Sequence, residues 1–277
     1  NISEHATHFI QEMRRRNYSQ NTIDNYSSCI KVFFEQSTKD HPKNINEQDI
    51  REFLLKPKMV NTQRNYHSAI KKFYEICLGQ KNKFKYIPYA RKEQKLPIVL
   101  SQDEIQKMFS VCQNTKHRVI LALIYSCGLR VSELLNLKWE HIDRGRMIIN
   151  IIQAKGKKDR QVMLEESIIP LLEKYYREYK SKIFVLNGWK NELQYSEKSV
   201  GQVIKQLSAK AGIKKKVWTH LLSHCTFTHM VENGTDINLV QKIAGHSNVK
   251  TTNLYLHISD NHISKIKSPL ADICLNP

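Results

Sequence analysis

Through its first 80 or so residues the chain repeats apolar side chains at helical spacing only, with no stretch of period-two alternation. Ile23, Tyr26, Ile30 and Phe33/Phe34 mark an amphipathic helix over Asn21 to Phe34, with Ser19 ahead of it as N-cap. Asn46 is positioned to cap Glu47 to Leu55, where Ile50, Phe53 and Leu54 make the stripe, and Thr62 to Leu78 continues with Tyr66, Ile70, Phe73 and Ile76/Cys77. Helices of this length hold their shape by covering one another's apolar stripes, so a bundle of about four is predicted over residues 1–80.

The pattern breaks between Lys81 and Lys95. Lys81, Lys83, Lys85, Arg91, Lys92 and Lys95 face one acid, Glu93, and Pro88 interrupts any helix, so residues 81–95 read as a basic linker. A second domain, residues 96–277, opens at Leu96-Pro97, with Ser101 and Glu104 spaced as a capping box. Helices are predicted from Thr115 to Tyr125 and from Val131 to Leu137. The period then changes to two over Met147 to Gln153 and Arg160 to Leu164, around a polar turn from Ala154 to Asp159, which predicts a basic-tipped hairpin. A short strand is expected near Ile183 to Val185. The fold class is therefore mainly α with a small antiparallel β-sheet, in two domains.

Charge narrows the function. The 277 residues hold 44 Lys+Arg against 26 Asp+Glu, a formal net charge of +18. A surplus of that size suits a polyanionic partner, nucleic acid first, although a generally basic solvated surface gives the same sum. The six cysteines form no CxxC pair, and none of the twelve histidines is spaced with Cys or carboxylates as a metal-ligand set, so no metal or other cofactor is expected. No run approaches the roughly 18 apolar residues of a membrane span, and Asn1 to Ile10 has no signal-peptide pattern, which predicts a cytoplasmic protein.

Five separated patches carry the chemistry. They are Cys127-Gly128-Leu129-Arg130-Val131-Ser132-Glu133-Leu134, Lys155-Gly156-Lys157-Lys158-Asp159-Arg160, Thr219-His220-Leu221-Leu222-Ser223-His224, Ala244-Gly245-His246-Ser247, and Thr251-Thr252-Asn253-Leu254-Tyr255. In this order the chain resembles the tyrosine recombinase family, which includes phage integrases and the bacterial Xer proteins. The resemblance spans the whole chain. It implies an N-terminal SAM-like helical domain that binds core DNA, a tyrosine recombinase catalytic domain, and a C-shaped clamp around the duplex. It also implies a double-stranded recombination site as partner, a dimer on one site, and a homotetramer on two sites in a bacterial, nucleoid-associated setting.

Cutting a phosphodiester without metal needs a nucleophile, positive charge on the non-bridging oxygens, and an acid for the leaving oxygen. By resemblance Tyr255 is the nucleophile that forms a 3′-phosphotyrosyl link. Arg130 and His246 bind phosphate oxygens, His220 assists proton movement at the tyrosine, and Lys155 protonates the leaving oxygen. Lys157 and Lys158 compete with Lys155 for that role. With Lys81, Lys83, Lys85, Arg91 and Lys92 they make up the expected DNA-binding cations. His224, His229 and His257 read as structural. An acid on the same helix face, Glu133, is placed either to pair with Arg130 or to hold it in position.

The departure from the family is Ser223. The family places its second phosphate-binding arginine three residues after the histidine at 220, and here that slot holds serine. No arginine follows Arg177, and Lys214, Lys215 and Lys216 precede His220. The serine reads either as an experimental substitution or as natural divergence, and in both cases cleavage should be weakened more than binding. Two rivals remain at this point, a catalytically disabled accessory DNA-binding member of the family and a type IB topoisomerase. The terminal segment, Ile258 to Pro277, is placed to pack on its own domain or on a neighbouring protomer.

Overall fold

In a computed structural model the described residues are 2–91, 98–152, 159–188, 194–246, 252, 253 and 255. They fall into two compact units, Asn1–Lys95 and Leu96–Pro277, each with its own apolar core.

The first unit is the expected helical bundle: α1 (Ile2–Arg15), α2 (Gln20–Glu35), α3 (Glu47–Leu55) and α4 (Val60–Cys77). Ser19 accepts from the Thr22 backbone N–H, and Asn46 forms a reciprocal capping box with Asp49, so both starts follow from local chemistry. α2 packs chiefly on α4, and α1 lies against both. Phe9, Phe33, Phe34, Ile70 and Phe73 fill the space between them. The rings of Phe33 and Phe53 meet edge to face at 4.9 Å, and those of Phe34 and Phe73 at 5.1 Å.

Residues 81–91, read from sequence as the first part of a linker, pack on this unit. They open with a short 3-10 turn over Lys81–Phe84, and both Phe84 and Ile87 are buried in the first core. α3 and α4 hold the segment by its carbonyls: His67 Nε2 lies 2.8 Å from Ile87 O, Arg64 donates to Ala90 O at 2.7 Å, and Arg51 donates to Tyr86 O. The lysines conceal this in the sequence, because the two apolar residues that bury sit between them. Lys92 to Pro97 lie outside the described residues.

The second unit is built around α6 (Thr115–Cys127), in which Val119 to Ile124 are all buried. α7 (Val131–Leu135), α8 (Ile169–Tyr179), α9 (Glu197–Lys210) and α10 (Thr219–Glu232) surround it, while α5 (Gln102–Ser110) and α11 (Ile237–Ala244) pack on α9 and α10 respectively. α5 begins with the predicted Ser101–Glu104 capping box. The sheet is antiparallel in the order β1 (Ile142–Asp143), β2 (Ile148–Ile151), β3 (Arg160–Met163), with Ile149 opposite Val162 and Ile151 opposite Arg160. β2 starts later than the alternation suggests because Met147 adopts a left-handed backbone (φ 54°). The strand expected near Ile183 to Val185 is only a bridge, Phe184 to Lys138, with Val185 N–H donating to Leu137 O. The two-residue β1 was not anticipated, being too short to show a period.

Candidate active site

The site begins where α6 ends. Gly128 terminates the helix in the left-handed conformation (φ 61°), and a Cβ there would lie 2.5 Å from the ring of Phe227. This close approach lets the chain reverse tightly beneath α10. Arg130 is the N-cap of α7, and its backbone N–H donates to Glu133 at 2.9 Å.

The Arg130 guanidinium donates to Glu133 Oε1 at 2.8 Å and to Ala244 O at 2.8 Å. Arg160, on β3, meets the same acid from the other side: Nη1 reaches Oε1, Nη2 reaches Oε2 at 2.8 Å, and Nε donates to Ile243 O at 2.7 Å. Burial alone would raise the Glu133 carboxyl, but the hydrogen bond from Arg160, the Arg130 N–H and both positive charges hold it below the ordinary carboxylate range. Arg130 and Arg160 thus both grip the C-terminal carbonyls of α11, just ahead of Gly245-His246.

α10 supplies the opposite wall. Ser223 is buried, and its hydroxyl donates to Leu129 O at 2.8 Å, so position 223 faces the backbone that leads into Arg130. His220 is exposed one turn earlier, and its ring meets that of His224 edge on, with centroids 4.4 Å apart. His224 Nδ1 lies 2.8 Å from the Tyr255 hydroxyl. Burial, then the neighbouring His220 and His246 imidazoles and Arg130, push His224 down to about 4, so it is neutral at neutral pH. Tyr255 is 1% exposed, and burial lifts its phenol well above the ordinary value. His246 stacks nearly parallel to the Tyr255 ring at 6.1 Å, and its Nδ1 is 3.1 Å from Thr252 Oγ1.

Five of the six expected catalytic positions, Arg130, His220, Ser223, His246 and Tyr255, therefore converge among α7, α10 and the end of α11. The sixth, Lys155, lies outside the described residues, as do Lys157 and Lys158. Of the other expected DNA-binding cations, Lys81, Lys85 and Arg91 are exposed on the first unit, Lys83 is half-buried over the Tyr74 ring at 4.4 Å, and Lys92 is not described.

His224, read as structural, is the residue in direct contact with the tyrosine. Its position four residues after His220, on the same helix face, is the signal that could have shown it. Arg160 closes one of the five patches, but its pairing with Glu133, 27 residues away, was not legible from spacing. Lys215 is committed elsewhere, to Glu104 at 2.7 Å and Val99 O at 2.9 Å. Among the described residues no group of three or more His, Cys, Asp or Glu could hold a metal ion, and no helix is long and apolar enough to cross a membrane.

Comparison with known proteins shows the family and the fold. The phage integrase family pattern matches residues 99–262, and that of the phage integrase N-terminal SAM-like domain matches residues 6–83. A tyrosine recombinase of Thermosipho africanus is 31% identical over 276 residues, spanning 94% of this chain and 95% of its own. The fold is shared with a XerH site-specific recombinase bound to difH substrate in a pre-cleavage complex (TM-score 0.72, 24% identity, 90% of this chain and 79% of that one). It is shared also with a lambda integrase tetramer bound to a Holliday junction (TM-score 0.77, 16% identity, 91% of this chain and 76% of that one).

Proposed function

Because the chain belongs to the phage integrase family of tyrosine recombinases, whose work is site-specific DNA recombination, we propose that it cleaves and rejoins duplex DNA through Tyr255. The observation that carries this reading is the convergence of Arg130, His220, His246 and Tyr255 from four separate stretches of sequence. Tyr255 attacks the phosphorus and forms a 3′-phosphotyrosyl bond, and the 5′-oxygen leaves with a proton, for which Lys155 is the candidate donor. The bond energy is kept for rejoining to a new strand. Arg130 and His246 neutralise the non-bridging oxygens. The Tyr255 hydroxyl lies 2.8 Å from His224 Nδ1, whose ring meets that of the exposed His220, so these two imidazoles line the path by which the phenol proton reaches solvent as the phosphotyrosyl bond forms. Tyr255 is buried in the free chain, so its hydroxyl has to become accessible to the phosphate before attack.

Ser223 then leaves this centre short of one cation. Losing a charge-assisted donor to a developing oxyanion costs on the order of 3 kcal/mol, or about a hundredfold in rate. Its hydroxyl is already used on Leu129 O. Binding, spread over many phosphate contacts, is retained. The proposed setting is that of the family: a dimer on one double-stranded site, a tetramer on two, in the bacterial cytoplasm at the nucleoid. The DNA-bound XerH complex and the lambda integrase tetramer support this reading by shared fold.

The test starts from a duplex site selected by the protein from a random-sequence pool, nicked so that cleavage is irreversible. Ser223→Arg is expected to raise the covalent Tyr255 adduct by about a hundredfold, with little change in affinity. An unchanged yield would sink the missing-charge account. A chain that binds but never forms the adduct, even with arginine at 223, would favour the accessory DNA-binding reading.

A further inference from the structure

Glu133 is a buried acid inserted between two arginines, and the arithmetic of that cluster bears on the phosphate. The Glu133 side chain is 5% exposed and that of Arg160 7%, whereas Arg130 is 20% exposed and faces the site. The Arg130 guanidinium donates to Glu133 through a single nitrogen, its backbone N–H meeting the other oxygen, while the Arg160 guanidinium takes both carboxylate oxygens and adds the Ile243 carbonyl. Three charges lie within hydrogen-bond distance, and their sum is one positive.

Remove Arg160 and the sum becomes zero. Arg130 and Glu133 would then be a closed ion pair, and an approaching phosphate would meet a guanidinium whose field is cancelled by the carboxylate behind it. In a centre where position 223 supplies no cation, this difference weighs more than it otherwise would.

We infer that Arg160 is a positioning residue that acts through Glu133: by neutralising that carboxylate it leaves the Arg130 charge available to the scissile phosphate, and by gripping Ile243 O it fixes the turn carrying His246. The side chain packs against Gly245, where an added Cβ would lie 3.0 Å from its Cδ. Arg160 itself stays beneath the surface and does not touch the substrate. This rests on the reading of Arg130 as a phosphate ligand.

The electrostatic part separates cleanly from a packing role, because charge can be restored without restoring contacts. The parent, Arg160→Gln, Arg160→Lys and the Arg160→Gln/Glu133→Gln double variant are compared on the selected nicked duplex, each with serine and with arginine at 223, with duplex affinity and thermal unfolding measured alongside. Arg160→Gln is expected to slow single-turnover cleavage at least about tenfold at unchanged affinity. Arg160→Lys keeps the charge and should stay within about threefold of the parent. Arg160→Gln combined with Glu133→Gln returns the cluster to one positive charge and should recover to about the same level. A packing role predicts the opposite, a double variant at least as slow as the single one, and that result would overturn the inference. So would full cleavage by Arg160→Gln alone.

If Arg160→Gln does not fold, the double variant and Arg160→Lys are read against the parent: cleavage by both supports the charge account, and its loss in either at retained affinity overturns it. A Ser223→Arg protein that forms no Tyr255 adduct overturns the function and this inference together. One that cleaves and is indifferent to position 160 overturns the inference alone.

Discussion

Position 223 lies one hydrogen bond from the backbone that leads into Arg130, and position 224 lies one hydrogen bond from Tyr255. Adjacent residues on one helix thus face two different catalytic elements, and their side chains respond differently to solvent conditions. Serine has no charge to lose. His224 does: folding lowers its pKa to about 4 from the ordinary 6.5, so the native state binds fewer protons than the unfolded chain between those values. The stability it contributes is complete above pH 6.5 and is lost as the pH falls toward 4. Allowing for partial exposure, the loss at pH 5 is about 1 kcal/mol from this residue. Urea unfolding at pH 7.5 and pH 5 should show the parent weakening on acidification, and His224→Gln weakening less by about that amount. Burial lowers His67, His117 and His229 as well, so some of the fall will remain in the variant. A pH dependence identical in both proteins would mean that His224 does not titrate this way.

Among the elements, the packing of α6 beneath α10 decides whether the catalytic groups meet. The contact turns on Gly128 against Phe227, a buried ring on the same helix as His220, Ser223 and His224. Gly128→Ala adds a methyl 2.5 Å from that ring at a left-handed backbone position. The strain of the backbone and the overpacking together should cost about 2 to 4 kcal/mol. Differential scanning calorimetry should show a lowered midpoint for the second unit. Cleavage should fall further than stability alone accounts for if the displaced ring pushes on α10, which carries His220 and Ser223. Wild-type stability in Gly128→Ala would mean that the ring moves freely and that the turn does not set the geometry. The first unit shows a similar dependence on a few contacts: Arg51, Arg64 and His67 bind residues 86–90 by their carbonyls, turning a lysine-rich stretch into part of the bundle.

For the molecule as a whole, the net charge of +18 governs affinity rather than chemistry. Neutralising six to ten phosphates predicts a loss of about 10³ to 10⁵ in duplex affinity between 50 and 200 mM salt, measured by fluorescence anisotropy. Ser223→Arg should change that slope by about one phosphate contact at most. A salt-independent affinity would exclude the phosphate backbone as the main ligand.

The bundle, the N-cap at Asn46, the capping box at Ser101, the hairpin and the five patches were all legible in the amino-acid order. Each rests on interactions within a few residues, where periodicity and capping chemistry act directly. The serine at 223 was legible for the same reason, as a gap in a short motif. What the order of residues left open was the set of contacts between distant segments. Arg160 on Glu133, Ser223 on Leu129 O, His224 on Tyr255, and the burial of Phe84 and Ile87 join residues up to 94 positions apart. No spacing rule connects such residues. They meet because two helices and a strand end at one place once the apolar core has closed, and only there does the charge of Arg160 come within reach of Arg130.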